Sequence, residues 1–170
     1  YRVPNVNQCK ECHAAEDKVT PIGPKARNLN KKFVFNEGEF NQLTYWMNRQ
    51  IIDDYPLELV SPVDWTDDSQ NINDRVRSYL DVNCGHCHSP TGNANSTGLY
   101  LYLDETRDIH LGLYKKPVAT GRGSGGLKYS IVPGKPDESI LLHRMISLDP
   151  GVMMPESGRA LSHTEAVEMV

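Results

Sequence analysis

The stretch that decides the interpretation of this chain is CGHCH at residues 84–88, and CKECH at residues 9–13 repeats its pattern. The two copies contain all four cysteines of the 170 residues. In each copy two thiols lie one helical turn apart, and a histidine directly follows the second thiol. This spacing is typical of covalent haem attachment, in which the thiols bind the vinyl groups at one edge of the porphyrin and the histidine binds the iron.

Three other uses of paired cysteines agree less well with the sequence. The two pairs of a zinc ribbon usually lie ~15–20 residues apart, whereas Cys12 and Cys84 are separated much more widely. A thioredoxin-like pair lies in a βαβ unit, and no such alternation flanks either motif. Structural disulfides would leave both histidines unexplained. We therefore predict two covalently bound haem c groups, attached and ligated by Cys9, Cys12, His13, Cys84, Cys87 and His88.

The composition agrees with a protein that needs a bound group for stability. Apolar residues make up 38% of the chain, a small supply for a core, and small domains often depend on a cofactor. The net charge of −4 gives no basic face for nucleic acid, and no apolar run is long enough to cross a bilayer. Haem is attached covalently outside the bacterial inner membrane. We therefore expect a periplasmic or other extracytoplasmic protein, exported by a signal that is absent from this chain.

Apolar side chains that recur at helical spacing predict four helices. We expect them at residues 41–54, 73–84 and 137–147 and from Ser162 onward. Ser162 and Glu165 would form a capping box at the start of the last helix. That helix is expected to continue beyond Val170, which would make the chain end a truncation. Strand signals are confined to residues 99–103.

The predicted fold is mostly α, with two small lobes similar to class I cytochromes c and long loops around two covalent haems. Residues 1–60 would form the first lobe and residues 73–170 the second. Residues 61–72, which are rich in aspartate and serine, would form the linker between them. A helix that ends in its attachment motif, as predicted before Cys84, is how class I cytochromes c begin.

Each haem iron that is held by one histidine keeps a free axial position, and methionine is a frequent ligand there. For the second haem we predict Met154, which directly precedes a proline, with Met153 as the neighbouring alternative. For the first haem the candidate is Met47, on a predicted helix. Two alternatives stay open for the first haem: a five-coordinate iron, or a ligand from the other lobe such as Met145, His110 or His143.

The second ring nitrogen of each ligating histidine needs a hydrogen-bond acceptor. We expect the carbonyl of Pro24 to serve His13, and the carbonyl of either Pro90 or Pro133 to serve His88. Arg122, in a glycine-rich loop, is a candidate partner for a haem propionate.

From the second motif onward the sequence resembles the planctomycete-type cytochrome c domain. The shared pieces are CGHCH at 84–88, TGLYL at 97–101, SIVPGKPDES at 130–139, Met154-Pro155 and the final helix. This resemblance implies that Met154 is an axial ligand. With the first motif, PIGPK at 21–25 and NQL at 41–43 included, the whole chain is similar to a family of dihaem c-type cytochromes from Gram-negative bacteria.

The function predicted from these features is electron transfer between redox proteins, by a carrier rather than an enzyme. The acidic balance favours a partner with a basic docking patch. Two alternatives stay open: a peroxidase-like dihaem enzyme with one five-coordinate haem, and a haem subunit or domain of a larger dehydrogenase. The sixth ligand of the first haem distinguishes the carrier from the peroxidase.

Overall fold

The computed structural model describes residues 3–15 and 18–170. Only 35% of the structure is helical and 9% is strand, so the predicted mostly α fold of class I cytochrome-like lobes is wrong. The helices are short and are separated by long loops. These loops are rich in glycine, proline, asparagine and aspartate, which favour turns over regular structure.

The N-terminal part, residues 3–60, combines short helices with two antiparallel hairpins. Its elements are α1 (Val6–His13), β1 (Ala14–Ala15), β2 (Lys18–Val19), α2 (Ala26–Leu29), β3 (Lys32–Phe35), β4 (Gly38–Asn41) and α3 (Gln42–Asn48). The first motif lies in α1, and the side chain of Asn5 caps that helix. Leu43 is the one buried apolar residue among the described residues of this part, so the N-terminal part has almost no core of its own.

The C-terminal part, residues 61–170, contains the hydrophobic core. Its helices are α4 (Ile72–Asn83), α5 (Asp108–Leu111), α6 (Ile140–Ile146) and α7 (Thr164–Met169), with short 3₁₀ turns at Asn95–Thr97, Gly121–Ser124 and Pro136–Glu138. The core consists of Tyr79, Leu80, Leu101, Met145 and Ala166. Because α4 supplies two of these side chains and leads directly into the second motif, that motif rests on the most firmly packed part of the chain.

Two of the predicted helices, at 73–84 and 137–147, are confirmed with slightly different ends. The helix predicted at 41–54 stops at Asn48, since Gln50 adopts a left-handed backbone conformation with a φ of 57°. Residues 99–103, all within the described part of the chain, form no strand. Their backbone instead makes single hydrogen bonds to separate segments, such as the bond from the Leu101 N–H to the His88 carbonyl (2.8 Å).

The capping box predicted at Ser162 is wrong. The last helix begins at Thr164, with His163 as its N-cap and no side-chain capping bond. The ring of His163 instead lies against Tyr79, whose hydroxyl is 3.1 Å from its Nδ1 atom. It also contacts the Trp65 ring edge-on, with centroids 5.2 Å apart. Core contacts therefore decide where this helix begins.

A buried ion pair joins the two parts of the chain. The guanidinium of Arg27 lies 2.5 Å from a carboxylate oxygen of Asp81, and Asp81 is fully buried. Arg27 also contacts Asp104 at 3.0 Å, and the Leu103 N–H donates to Asp81. Since the N-terminal part has so little core, these polar contacts hold it against α4.

None of the helices in the described part of the chain is both long and apolar enough to span a membrane.

Replacing Arg27 with methionine should lower the free energy of unfolding by about 3–5 kcal/mol, because it leaves the buried Asp81 carboxylate without its charged partner. Arg49→Met is the matched control: the Arg49–Glu37 ion pair is about half exposed on both sides, and its loss should cost at most ~1 kcal/mol. Urea unfolding of both variants measures the difference. Equal losses would show that Arg27 does not hold the two parts together.

Candidate functional site

The second motif forms a tight turn at the end of α4. The N–H of Cys84 donates to the Leu80 carbonyl (2.8 Å), and the N–H of His88 donates to the Cys84 carbonyl (2.9 Å). Two glycines permit this close packing. A Cβ atom on Gly85 would lie 2.8 Å from the Asp81 carbonyl oxygen, and one on Gly92 would lie 2.2 Å from the Cys87 carbonyl oxygen. The motif therefore has little freedom to shift.

His88 is buried, with 8% of its surface exposed. Its Nδ1 atom lies 3.3 Å from the Leu99 carbonyl oxygen, which leaves Nε2 free to bind a metal. The expected acceptors, the carbonyls of Pro90 and Pro133, are therefore wrong. Burial lowers the pKa of His88 and so favours the neutral imidazole, the form that ligates iron.

Met154 shares two cavities with His88. One cavity has a volume of about 430 Å³ and the other about 160 Å³, and both residues line both of them. The Met154 loop is held to α6, since the Met154 N–H donates to the Arg144 carbonyl (3.0 Å) and the Arg144 side chain donates to the Val152 carbonyl (2.8 Å). The alternative, Met153, is buried and is not among the described residues that line either cavity.

The first motif is more exposed than the second. Cys9 is exposed, and Cys12 and His13 are half-buried. The Nδ1 atom of His13 lies 3.1 Å from the Thr20 carbonyl oxygen, because the β1–β2 hairpin folds back on the end of α1. The expected acceptor, the carbonyl of Pro24, is therefore wrong. As at His88, the contact leaves Nε2 free.

A cavity of about 220 Å³ lies beside His13, and His86, Lys25 and Tyr102 are among its lining residues. Met47, the predicted sixth ligand, is not among the described residues that line this cavity. It lies in the last turn of α3 and is 37% exposed. The structure therefore does not bring Met47 to His13.

The three other candidate ligands for the first haem are also not among the described residues that line the His13 cavity. Met145 is a core residue. The Nδ1 atom of His110 lies 3.0 Å from the Gly98 carbonyl oxygen, and His143 packs against Gly125. Sequence reasoning overlooked His86, which lines the His13 cavity and whose buried Nδ1 has no hydrogen-bond partner among the described residues. Its position inside the second motif gave no signal of contact with the first.

The two motifs touch each other. Ligand atoms of Cys12, His86 and Cys87 all lie within 4.8 Å of one another. The Cys87 thiol is 3.4 Å from the Glu11 carbonyl oxygen, and the Asn93 amide donates to the same carbonyl at 2.6 Å. The sequence did not predict this contact, since residues so far apart leave no mark in local periodicity.

The contact between the motifs changes the acidity of the free thiols. Hydrogen bonding from Cys87 and His86 lowers the pKa of Cys12 to about 4, and the same contact raises the pKa of Cys87. Burial raises the pKa of Cys84 to about 12. These values describe the chain before any attachment, because a thioether sulfur has no ionisable proton.

Arg122, the candidate partner of a propionate, forms an exposed ion pair with Asp149 at 2.9 Å. The cations that line a cavity of His88 are Lys115 and Arg144. Arg144 is already paired with Glu156 at 3.5 Å, so Lys115 is better placed than Arg122 to balance negative charge beside His88.

The donor set fits a covalently attached haem at each motif. Each motif has two thiols, with an imidazole whose Nε2 is left free by a backbone contact at Nδ1. At the second motif a thioether, that of Met154, lines the same cavities as the imidazole. At the first motif no methionine is among the described residues that line the His13 cavity, and His86 is the second histidine among them.

No protein-family model matches the sequence, no curated protein matches it, and no solved structure matches its fold.

Gly92→Ala should destabilise the chain by about 1–3 kcal/mol, the usual cost of overpacking, because its new Cβ atom would collide with the backbone of the second motif. Gly23→Ala is the matched control, since no atom lies within 4 Å of a Cβ at that position. Thermal unfolding of the two variants measures the effect. If Gly92→Ala unfolds at the same temperature as Gly23→Ala, the described packing around Cys87 is incorrect.

Proposed function

We propose that this chain is a dihaem c-type cytochrome that transfers single electrons between redox proteins outside the cytoplasm. The observation that carries the proposal is the arrangement at the second motif. His88 has a free Nε2 atom, and Met154 lines both of its cavities. The similar order of motifs in the planctomycete-type domain supports the same ligand pair.

At the second motif, Cys84 and Cys87 would attach the haem, and His88 and Met154 would ligate its iron. The bound haem supplies a one-electron couple. As an iron ligand, the thioether of Met154 would favour the reduced state and so raise the reduction potential. Lys115 would contribute positive charge beside this site, where Arg144 is paired with Glu156, and the burial of His88 would limit the access of water to the iron.

At the first motif, Cys9 and Cys12 would attach the haem, and His13 would ligate its iron. Because Cys12 and Cys87 are in contact, the attachment edges of the two haems would lie close together. A short distance between two redox groups favours electron exchange within one chain, without diffusion of a partner between them.

A peroxidase-like enzyme is the second candidate function. The observation that favours it is the position of Met47, which lies away from the His13 cavity and is 37% exposed. An iron with an open axial position can bind peroxide or another small ligand. In such an enzyme the second haem would donate electrons to the first.

Optical spectra of the oxidised protein test the proposal through Met154. We expect a methionine-to-iron charge-transfer band in the far red that disappears in Met154→Ala, together with a lower midpoint potential for one haem. Met153→Ala is the matched control, because Met153 does not line the described cavities of His88, and it should keep the band. Met47→Ala should also keep it.

Two outcomes would count against the electron carrier. A band that survives in Met154→Ala would remove the ligand pair on which the proposal rests. A high-spin signal that shifts when peroxide is added would favour the peroxidase-like enzyme.

A further inference from the structure

The two motifs differ in how much of their surface faces solvent. In α1 none of the eight residues is buried, whereas His88 of the second motif is 8% exposed. The first motif also covers the second. Glu11 contacts Cys87 through its carbonyl and accepts a hydrogen bond from Ser157 at 3.0 Å through its side chain. A partner molecule therefore has easier access to the first motif.

The charge of the chain is divided unevenly along the sequence. Residues 1–35 contain seven lysines and arginines and three acidic residues, for a formal charge of +4. Residues 36–170 carry −8, which together with the first segment gives the total of −4. The net charge therefore averages over a basic N-terminal segment and an acidic remainder, and two cations of that segment, Arg27 and Lys32, are paired with carboxylates of the remainder.

Three lysines of the basic segment lie close to the first motif. Lys10 lies inside the motif and is exposed, Lys18 is exposed on β2 beside α1, and Lys25 lines the His13 cavity. None of the three forms an ion pair within the described part of the chain. As far as the described residues show, their charges are therefore available to a partner.

We propose that the redox partner of this chain docks over the first motif and does so through an acidic surface. The proposal rests on the proposed electron-transfer function and specifies where the partner binds and what charge it carries. Exposed charges around a docking site accelerate association with oppositely charged molecules. At 0.1 M salt, charges more than about 10 Å from the docking face are screened. An acidic partner surface is the opposite of the basic docking patch that the net charge led us to expect, because the net charge does not describe the docking face.

Small redox ions of opposite charge test the proposal without an identified partner. The reduced full-length protein is mixed in a stopped-flow instrument with hexacyanoferrate(III), an anion, or with tris(phenanthroline)cobalt(III), a cation. Each ion takes one electron and oxidises one ferrous haem. We expect the rate with the anion to fall as ionic strength rises, although the whole protein is negative, because salt screens the attraction of the lysines.

Charge reversal locates the docking face. Lys10→Glu combined with Lys18→Glu should slow oxidation by the anion at least ~3-fold and accelerate oxidation by the cation. Lys116→Glu combined with Lys128→Glu is the matched control: both lysines are exposed in the C-terminal part, and the pair makes the same change in net charge. The control should change the rate much less.

The proposal is overturned if the rate with the anion rises with ionic strength, or if the control pair slows the anion as much as the first pair. A haem count by the pyridine haemochrome method on the same samples separates this result from failure of the proposed function. Without covalent haem the function itself fails. With two haems and the opposite salt dependence, only the docking face is wrong.

Discussion

The buried ion pair between Arg27 and Asp81 holds the N-terminal part of the chain in place, and the arrangement of the site depends on it. Only one described apolar side chain of that part is buried, so hydrophobic packing alone cannot fix its position. Asp81 lies on α4, the helix that ends in the second motif. The same helix therefore supports the core, anchors the N-terminal part and presents the second motif, which explains why the two motifs come into contact.

The local features of the site could be predicted from the sequence. The helix before Cys84 follows from apolar spacing, and the position of Met154 directly before a proline indicates that it is a ligand. The structure places Met154 in both cavities of His88. In these cases the signal lies within a few residues of the feature, where helical periodicity and backbone restriction act.

Features that depend on distant residues could not be predicted. The acceptors for His13 and His88 are the carbonyls of Thr20 and Leu99, and any residue type supplies a backbone carbonyl. Met47 lies on an apolar stripe of the predicted helix, but the β3–β4 hairpin that leads into α3 gives only a weak sequence signal. The prediction of a mostly α fold was wrong for a related reason, since loops rich in turn residues, rather than helices, make up most of the chain. The uneven charge was visible in the sequence, but a docking face could be inferred from it only once the exposure of the first motif was known.

Intact-mass measurement under denaturing conditions shows directly whether two haems are bound covalently to this chain. The protein is produced in a bacterial host that exports it and attaches haem, and is then unfolded in acid before mass spectrometry. If the chain carries two covalent haems, we expect the mass of the polypeptide plus two haem groups, because thioether bonds survive unfolding. The mass of the polypeptide alone would contradict it. Cys12, His86 and Cys87, which lie within 4.8 Å of one another, would then be better interpreted as ligands of a metal ion released by acid.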